Sequence, residues 1–393
     1  MLCIVRLVPV FSQNSFECGR SFVQYDMSVN NVRARIHQNG YLFSDAAYIF
    51  PKPAKNEPAV TSVFAARIWA GGLLENGSPA VSASTYRLSG TDHFQGPVLS
   101  GITDSSAFCK QWDRFFIVKG DNIIKHKRLV KQALSSGQAI DCNQIPEDVL
   151  YWPGQNNPYF SLKYGWTLPD VPLAGFWDED NDGIYNPCKG DFPIVPVESC
   201  ETSNNIEKAI PTEIVFYVYN DVMANHTHSG PAKTGLETQV HAFAYATDDE
   251  LNDATFYHFK MINKGNQLIK DVYTGFWMDP DLGCYADDYI GCMPSRNLGF
   301  IYNKDEVDGI QGADCQGTPS YAQKIPVLGI KLAQPPMVSK IFARDNQGNI
   351  LFDNGKKILL DPVEGSGMQD TLTRGNITSF TYIENFPEPN LGK

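Results

Sequence analysis

Asp178, Asp180 and Asp182 stand at alternate positions and run directly into Gly183, in the stretch Asp178-Glu-Asp-Asn-Asp-Gly-Ile-Tyr-Asn-Pro-Cys-Lys-Gly-Asp191. Alternate side chains on a tight curve point inward together, and a hard cation such as Ca2+ takes several oxygen ligands at once. Gly183 permits the sharp turn, and the carbonyl of Ile184 is the expected backbone ligand. The twelfth place of the loop, where an EF-hand carries its bidentate glutamate, is Lys189. Asp191, two residues later, is therefore the expected distal carboxylate. Trp177 before the loop and Pro187 and Pro193 after it argue against flanking helices, so the motif predicts a calcium loop outside the EF-hand architecture.

A second acidic set, Asp279, Asp281, Asp287 and Asp288, follows Trp277. Asp279 and Asp281 share a face if the strand persists, and Gly283 permits a turn that brings Asp287 or Asp288 back. Two chemistries fit this pattern. One is a further calcium site. The other is an acid and base pair set across a sugar-binding cleft, as in glycoside hydrolysis. Aspartates forming turns at a strand end are the plainer reading. His226 and His228, two apart, would suit a transition metal on a strand, but no third ligand stands near, and a polar loop is preferred. Among the familiar signatures, Gly-x-Ser-x-Gly, a phosphate-binding loop and a dinucleotide fingerprint do not occur.

The elements that must position these residues read as mainly β. Glu213 to Tyr219, Leu236 to Thr247, Thr255 to Asn263 and Val272 to Met278 form successive strands with short turns. That predicts an antiparallel meander closed as a β-sandwich, extended by Val327–Leu332 and Ser339–Arg344. Asp345 to Gly348 and Asp353-Asn-Gly355 mark late hairpins. One helix is expected over 121–135, capped by Asp121 and stopped by Gly137. The run from 146 to 205 is rich in proline and irregular. It is expected to cross a sheet as a long ordered connection with little apolar surface, leading into the loop over 178–191. The resulting layout is a leader remnant at 1–13, a β-rich module at 14–145, the irregular stretch at 146–205, a β-sandwich at 206–345 and terminal strands at 346–393.

Net charge is −12 over 393 residues, with no basic stripe, which excludes nucleic acid as the main partner. Leu2 to Phe11 resembles the end of a secretory signal peptide. Without Cys3, the other eight of the nine cysteines suit disulfides in an oxidising compartment. Cys188 with Cys200, and Cys284 with Cys292, bracket the two acidic segments. No other apolar run approaches the ~18 residues of a membrane helix, so no transmembrane segment is expected.

Several ordered motifs carry a resemblance: Asn30-Asn-Val-Arg-Ala-Arg35, Ser62 to Gly72, Tyr86 to Asp92 with Gly96-Pro97, Gly190 to Pro193, Gly235 to Ala244, Thr255-Phe-Tyr, and Asp279 to Gly283 with Asp287-Asp288. Together they resemble a family of large secreted or cell-surface proteins of Bacteroidetes-type bacteria, exported by the type IX secretion system and often ending in a sorting domain. The chain departs from it at His228, where members usually have glutamate, and in carrying no sorting domain. The resemblance implies secretion or cell-surface location, the type IX machinery as a partner, and roles in adhesion to surface glycans or other surface proteins. It names no catalytic residue. The expected function is a calcium-stabilised structural or adhesive protein without catalysis of its own. The alternative is a carbohydrate-binding or polysaccharide-degrading protein that uses the cluster near 279–288.

Overall fold

The computed structural model describes residues 18–86, 89–102, 105–196, 210–309, 315, 317–345, 347, 349–360 and 371–382. The leader segment Leu2–Phe11, Cys3 and Cys200 lie outside these residues. The chain is mainly β, and every pairing between its strands is antiparallel among the described residues. It divides into two compact units that meet in sequence between Asp281 and Leu282. The division thus falls inside the stretch expected to be one β-sandwich, 206–345.

In the first unit, one sheet joins β1 (Gln24–Met27), β2 (Arg33–His37), β3 (Tyr48–Ile49) and β4 (Thr61–Val63) in that order. The long strand β5 (Ala65–Leu74) pairs with β6 (Pro79–Ser82) on one side and with β14 (Ile269–Asp279) on the other. The second sheet is centred on β11 (Glu213–Asn220), in which every residue is buried. It is flanked by β12 (Leu236–Ala244) and β13 (Thr255–Asn263) on one side, and by β7 (Phe94–Gln95) and β8 (Phe116–Lys119) on the other.

The period of two along β11 explains why both faces of this strand are covered. Ile214, Phe216 and Val218 enter a cluster with Trp112, Trp152, Phe160 and Tyr185. Tyr217 and Tyr219 point the other way, toward Phe115 and toward His93 and Gly40. Gly40 has φ +84°, and a Cβ there would lie 2.6 Å from the Tyr219 ring. Only glycine admits both the backbone and the ring.

Three expectations change. The strand near Val272–Met278 does not continue the meander. As β14 it leaves β13 and runs along β5, where Trp277 stacks on Trp69 with ring centres 5.7 Å apart. The turn after β13 is drawn elsewhere, since the N–H groups of Lys264 and Gly265 both donate to the Gly235 carbonyl. The 146–196 stretch is no thin connection: Val149, Trp152, Phe160, Leu168, Leu173, Tyr185 and Phe192 are all core residues. The expected helix is present as Gly120–Ser136 and ends at Gly137 with φ 66°, but Asp121 lies in its first turn and makes no cap. There it favours the positive end of the helix dipole instead.

The second unit has a sheet of β15 (Asp288–Met293), β16 (Leu298–Asn303) and β17 (Leu328–Lys331). Met337–Phe342 pairs with Leu359–Leu360 and Thr371–Arg374. The strands expected to extend the first unit's sheets therefore belong to sheets of their own. The hairpin at Asp353-Asn-Gly355 forms as read, with φ +47° at Asn354 and +76° at Gly355 joining Phe352–Asp353 to Lys356–Lys357.

Disulfides join Cys18 to Cys109, Cys142 to Cys188 and Cys284 to Cys315, and Cys292 is free. Cys188 thus anchors its loop to the 142–144 turn, and Cys284 reaches past Cys292. No helix among the described residues is long and apolar enough to cross a membrane.

Candidate metal centre

The loop 178–191 is closed at its base by the two-residue strands β9 (Phe176–Trp177) and β10 (Phe192–Pro193), with Trp177 opposite Phe192. Trp177 and Phe192 stack with ring centres 6.0 Å apart. Two further anchors hold the distal half. Tyr185 is fully buried, and its hydroxyl donates to the Val149 carbonyl at 2.6 Å. Cys188 is tied to Cys142. His126 on the long helix contacts the Asp191 carbonyl through Nε2 at 3.0 Å, and burial pushes its pKa down to about 4. It therefore acts as a neutral donor at neutral pH.

Inside this frame the backbone curls as the sequence requires. Asn181 and Gly183 take φ +58° and +77°. Asp178 accepts the N–H groups of Asp182, at 3.2 Å, and Gly183, at 2.8 Å. Asp191 is fully buried and accepts from Glu179 at 2.9 Å and from Asn186 at 2.7 Å, so one carboxylate joins the two limbs of the loop. Burial raises its pKa, and the nearby charges of Asp178 and Asp180 add to the rise against the pull of those two N–H groups.

Asp178, Asp180 and Asp191 each present a carboxylate oxygen, and the three atoms lie within 4.8 Å of one another. Calcium–oxygen bonds of about 2.3–2.6 Å can span such a set. Asp182 stands outside this group. Its carboxylate accepts the Ile184 N–H at 2.8 Å and binds Lys189 at 2.7 Å. Lys189 also reaches Asp180 at 2.8 Å. The pair of carboxylates raises the Lys189 pKa, and Lys189 together with the Ile184 N–H lowers that of Asp182. The residue at the twelfth position thus supplies a positive charge where an EF-hand has a negative one.

Asp279 ends β14 opposite Ala65 and Asp281 closes the first unit, whereas Asp287 and Asp288 belong to the second. Asp288 opens β15 and accepts the Leu282 N–H at 2.8 Å. Asp287 is brought beside Asp308, a residue the sequence reading did not single out.

The histidine pair is split as well. His226 lies between Asp92 and Asp221, with nitrogen–oxygen distances of 3.6 Å to each carboxylate and a side chain 4% exposed. His228 accepts the Thr85 N–H through Nε2 at 3.0 Å. Asp92 and Asp221 receive backbone N–H groups from His228, Ser229, Thr234 and Leu236. This is the internal bonding of a buried polar bridge. Compared with family models, curated proteins and solved structures, the chain matches none of them.

Proposed function

We propose that the chain is a secreted or cell-surface protein of structural or adhesive kind, that its loop 178–191 binds calcium, and that the antiparallel sheets of its first unit act as a β-sandwich. The observation that carries this is the convergence of Asp178, Asp180 and Asp191 in a loop fixed at both ends. Asp182 and the Ile184 carbonyl would join the ion's surroundings once Lys189 swings aside. The ion neutralises like charges that otherwise repel, and because it binds the folded loop and not the open chain, its binding energy becomes stability. An ion at a hundredfold its dissociation constant adds about 2.7 kcal/mol.

Export is supported by three disulfides, which persist in oxidising compartments. Transit through the type IX machinery is supported by the ordered motifs alone. Exposed aromatic side chains on β14, Tyr273 at 71% and Phe276 at 39%, support contact with a glycan ring or another surface protein. A hydrolytic role for the 279–288 region draws less support, because Asp287 is only 7% exposed and an acid and base pair must face a cleft.

The test is calcium stoichiometry and thermal melting with and without chelator, on the wild type and on Asp180→Ala. A bound calcium lost with Asp180, together with a lower melting temperature, supports the reading. Chelator-resistant melting and unchanged proteolysis across 175–196 would overturn it. Glycan turnover abolished by Asp287→Asn in a folded protein would replace it with the hydrolase.

A further inference from the structure

The second unit buries two carboxylates that have no positive partner among the described residues. Asp308 is 1% exposed and Asp287 is 7% exposed. An oxygen of each lies within 4.8 Å of the other and of the Cys284 sulfur. That sulfur is bonded to Cys315, so it is no ligand. Asp308 accepts the Cys284 N–H at 2.8 Å through Oδ1 and the Tyr321 N–H through Oδ2. Asp287 accepts the Gly309 N–H at 3.0 Å through Oδ2, and its buried Oδ1 has no hydrogen-bond partner among the described residues.

Among the described residues no lysine, arginine or histidine forms an ion pair with either group. Backbone N–H groups orient the two carboxylates but do not cancel two charges. A buried ion without a partner is strongly destabilising, and a buried acceptor left unmade adds to that.

The backbone is shaped around the pair. Gly283, at φ +75°, lies so close to Asp308 that a Cβ there would collide with Oδ2. Gly309, at φ +81°, is packed against Cys315 Sγ and Cys284 Cβ, at 3.2 and 3.3 Å from an added Cβ. The disulfide fixes the segment whose N–H orients Asp308.

We propose that Asp287 and Asp308 hold a hard divalent cation of the calcium class in the second unit, with the unpartnered Oδ1 of Asp287 as a ligand atom and backbone carbonyls completing the shell. Two oxygens bound to one calcium ion are at most about 4.6–5.2 Å apart, and the carboxylate oxygens of Asp287 and Asp308 lie within 4.8 Å of each other. The site is independent of the loop 178–191. The rival arrangement is a proton shared between the two carboxyl groups, which also removes one charge.

The experiment counts bound calcium in the full chain by equilibrium dialysis and elemental analysis, with terbium luminescence as a second probe. Three proteins are compared: wild type, the loop variant Asp178→Asn/Asp180→Asn, and Asp308→Asn. The last keeps an acceptor for the Cys284 N–H, and near-ultraviolet circular dichroism confirms its fold. The expected result is one calcium retained in the loop variant and lost in Asp308→Asn, with its release speeded by reduction of Cys284–Cys315. A wild type that holds one ion, kept in the loop variant and lost in Asp308→Asn, would leave this site standing and remove the loop's. Calcium counts equal in Asp308→Asn and wild type, or a loop variant that binds no calcium and shows a protonated carboxyl band in the infrared at pH 7, would overturn the proposal.

Discussion

The two acidic clusters of this chain solve one problem in opposite ways. In the loop 178–191, Asp180 and Asp182 sit toward solvent and an internal ammonium, Lys189, bridges them. In the second unit Asp287 and Asp308 are buried, and nothing positive reaches them from the described chain. The loop therefore carries a cation of its own, and among the described residues the buried pair has none. The lesson is that the cluster with the better sequence motif is not the one with the greater electrostatic need. Burial decides that need, because charge repulsion and desolvation both grow as water is excluded.

The sharpest way to separate the two units is acid. All seven histidines precede residue 282. Burial lowers the pKa of His241 to about 3 and that of His37 to about 4. His241 accepts the Gly175 N–H through Nε2, a bond that needs the neutral ring. Their folded pKa values lie below the unfolded value near 6.5, so the unfolded chain binds more protons in between. The stability that these rings confer is complete above about pH 6.5. It is lost as pH falls toward about 4 for His37 and about 3 for His241. At ~1.4 kcal/mol per pKa unit the combined loss is on the order of 5 kcal/mol at about pH 4.5 and about 8 kcal/mol once both rings are charged. All six tryptophans also lie in the first unit, so urea melts followed by tryptophan fluorescence at pH 7 and pH 4.5 report on it alone. His241→Gln should remove part of the slope. Equal loss of hydrogen-exchange protection in the second unit would break the contrast.

Much of this was legible in the residues, and the failures have physical causes. The strands at β11, β12 and β13 follow from period-two patterning, and the hairpin at Asn354-Gly355 from the backbone freedom of those two residues. The carboxylate cluster of the loop was legible because Asp178, Asp180 and Asp191 are near neighbours in sequence. Asp308 was not, since it stands 21 positions from Asp287 and only the tertiary fold brings them together. The pairing of β14 with β5 joins residues 195 (Ile269 and Leu74) to 214 (Asp279 and Ala65) apart in sequence, and no local pattern encodes a partner at that distance. The core role of residues 146–196 was hidden by their prolines. Those break regular elements without lowering apolar content, and Trp152, Phe160 and Tyr185 pack perfectly well from irregular backbone.

Within the loop, burial should again rank the aspartates. Asp191→Ala leaves the N–H groups of Glu179 and Asn186 without acceptors in a closed site. At roughly 1–3 kcal/mol for each buried unmade bond, the expected loss is about 3 kcal/mol in chelator, read from urea midpoints. Asp182→Asn, at an exposed position, should change that midpoint far less. A loss for Asp182→Asn as large as that for Asp191→Ala would mean that surface charge, rather than the buried crosslink between limbs, holds the loop.

The smallest effect is the most discriminating between the two clusters. Lys189→Met removes the ammonium that neutralises Asp180 and Asp182. If that ammonium is the loop's own substitute for an ion, calcium no longer has to displace it, and the loop's calcium affinity should rise modestly. In chelator the same variant should melt slightly lower, because the aspartates then repel unopposed. Ion binding at Asp287 and Asp308 should not respond. Calorimetric titration of wild type and Lys189→Met at two salt concentrations measures this. The gain should shrink at high salt, since both the pair and the repulsion it offsets are screened there. Weaker calcium binding in Lys189→Met would instead make Lys189 a brace for the ligand geometry, and the contrast between a loop with a built-in cation and a buried pair without one would fail.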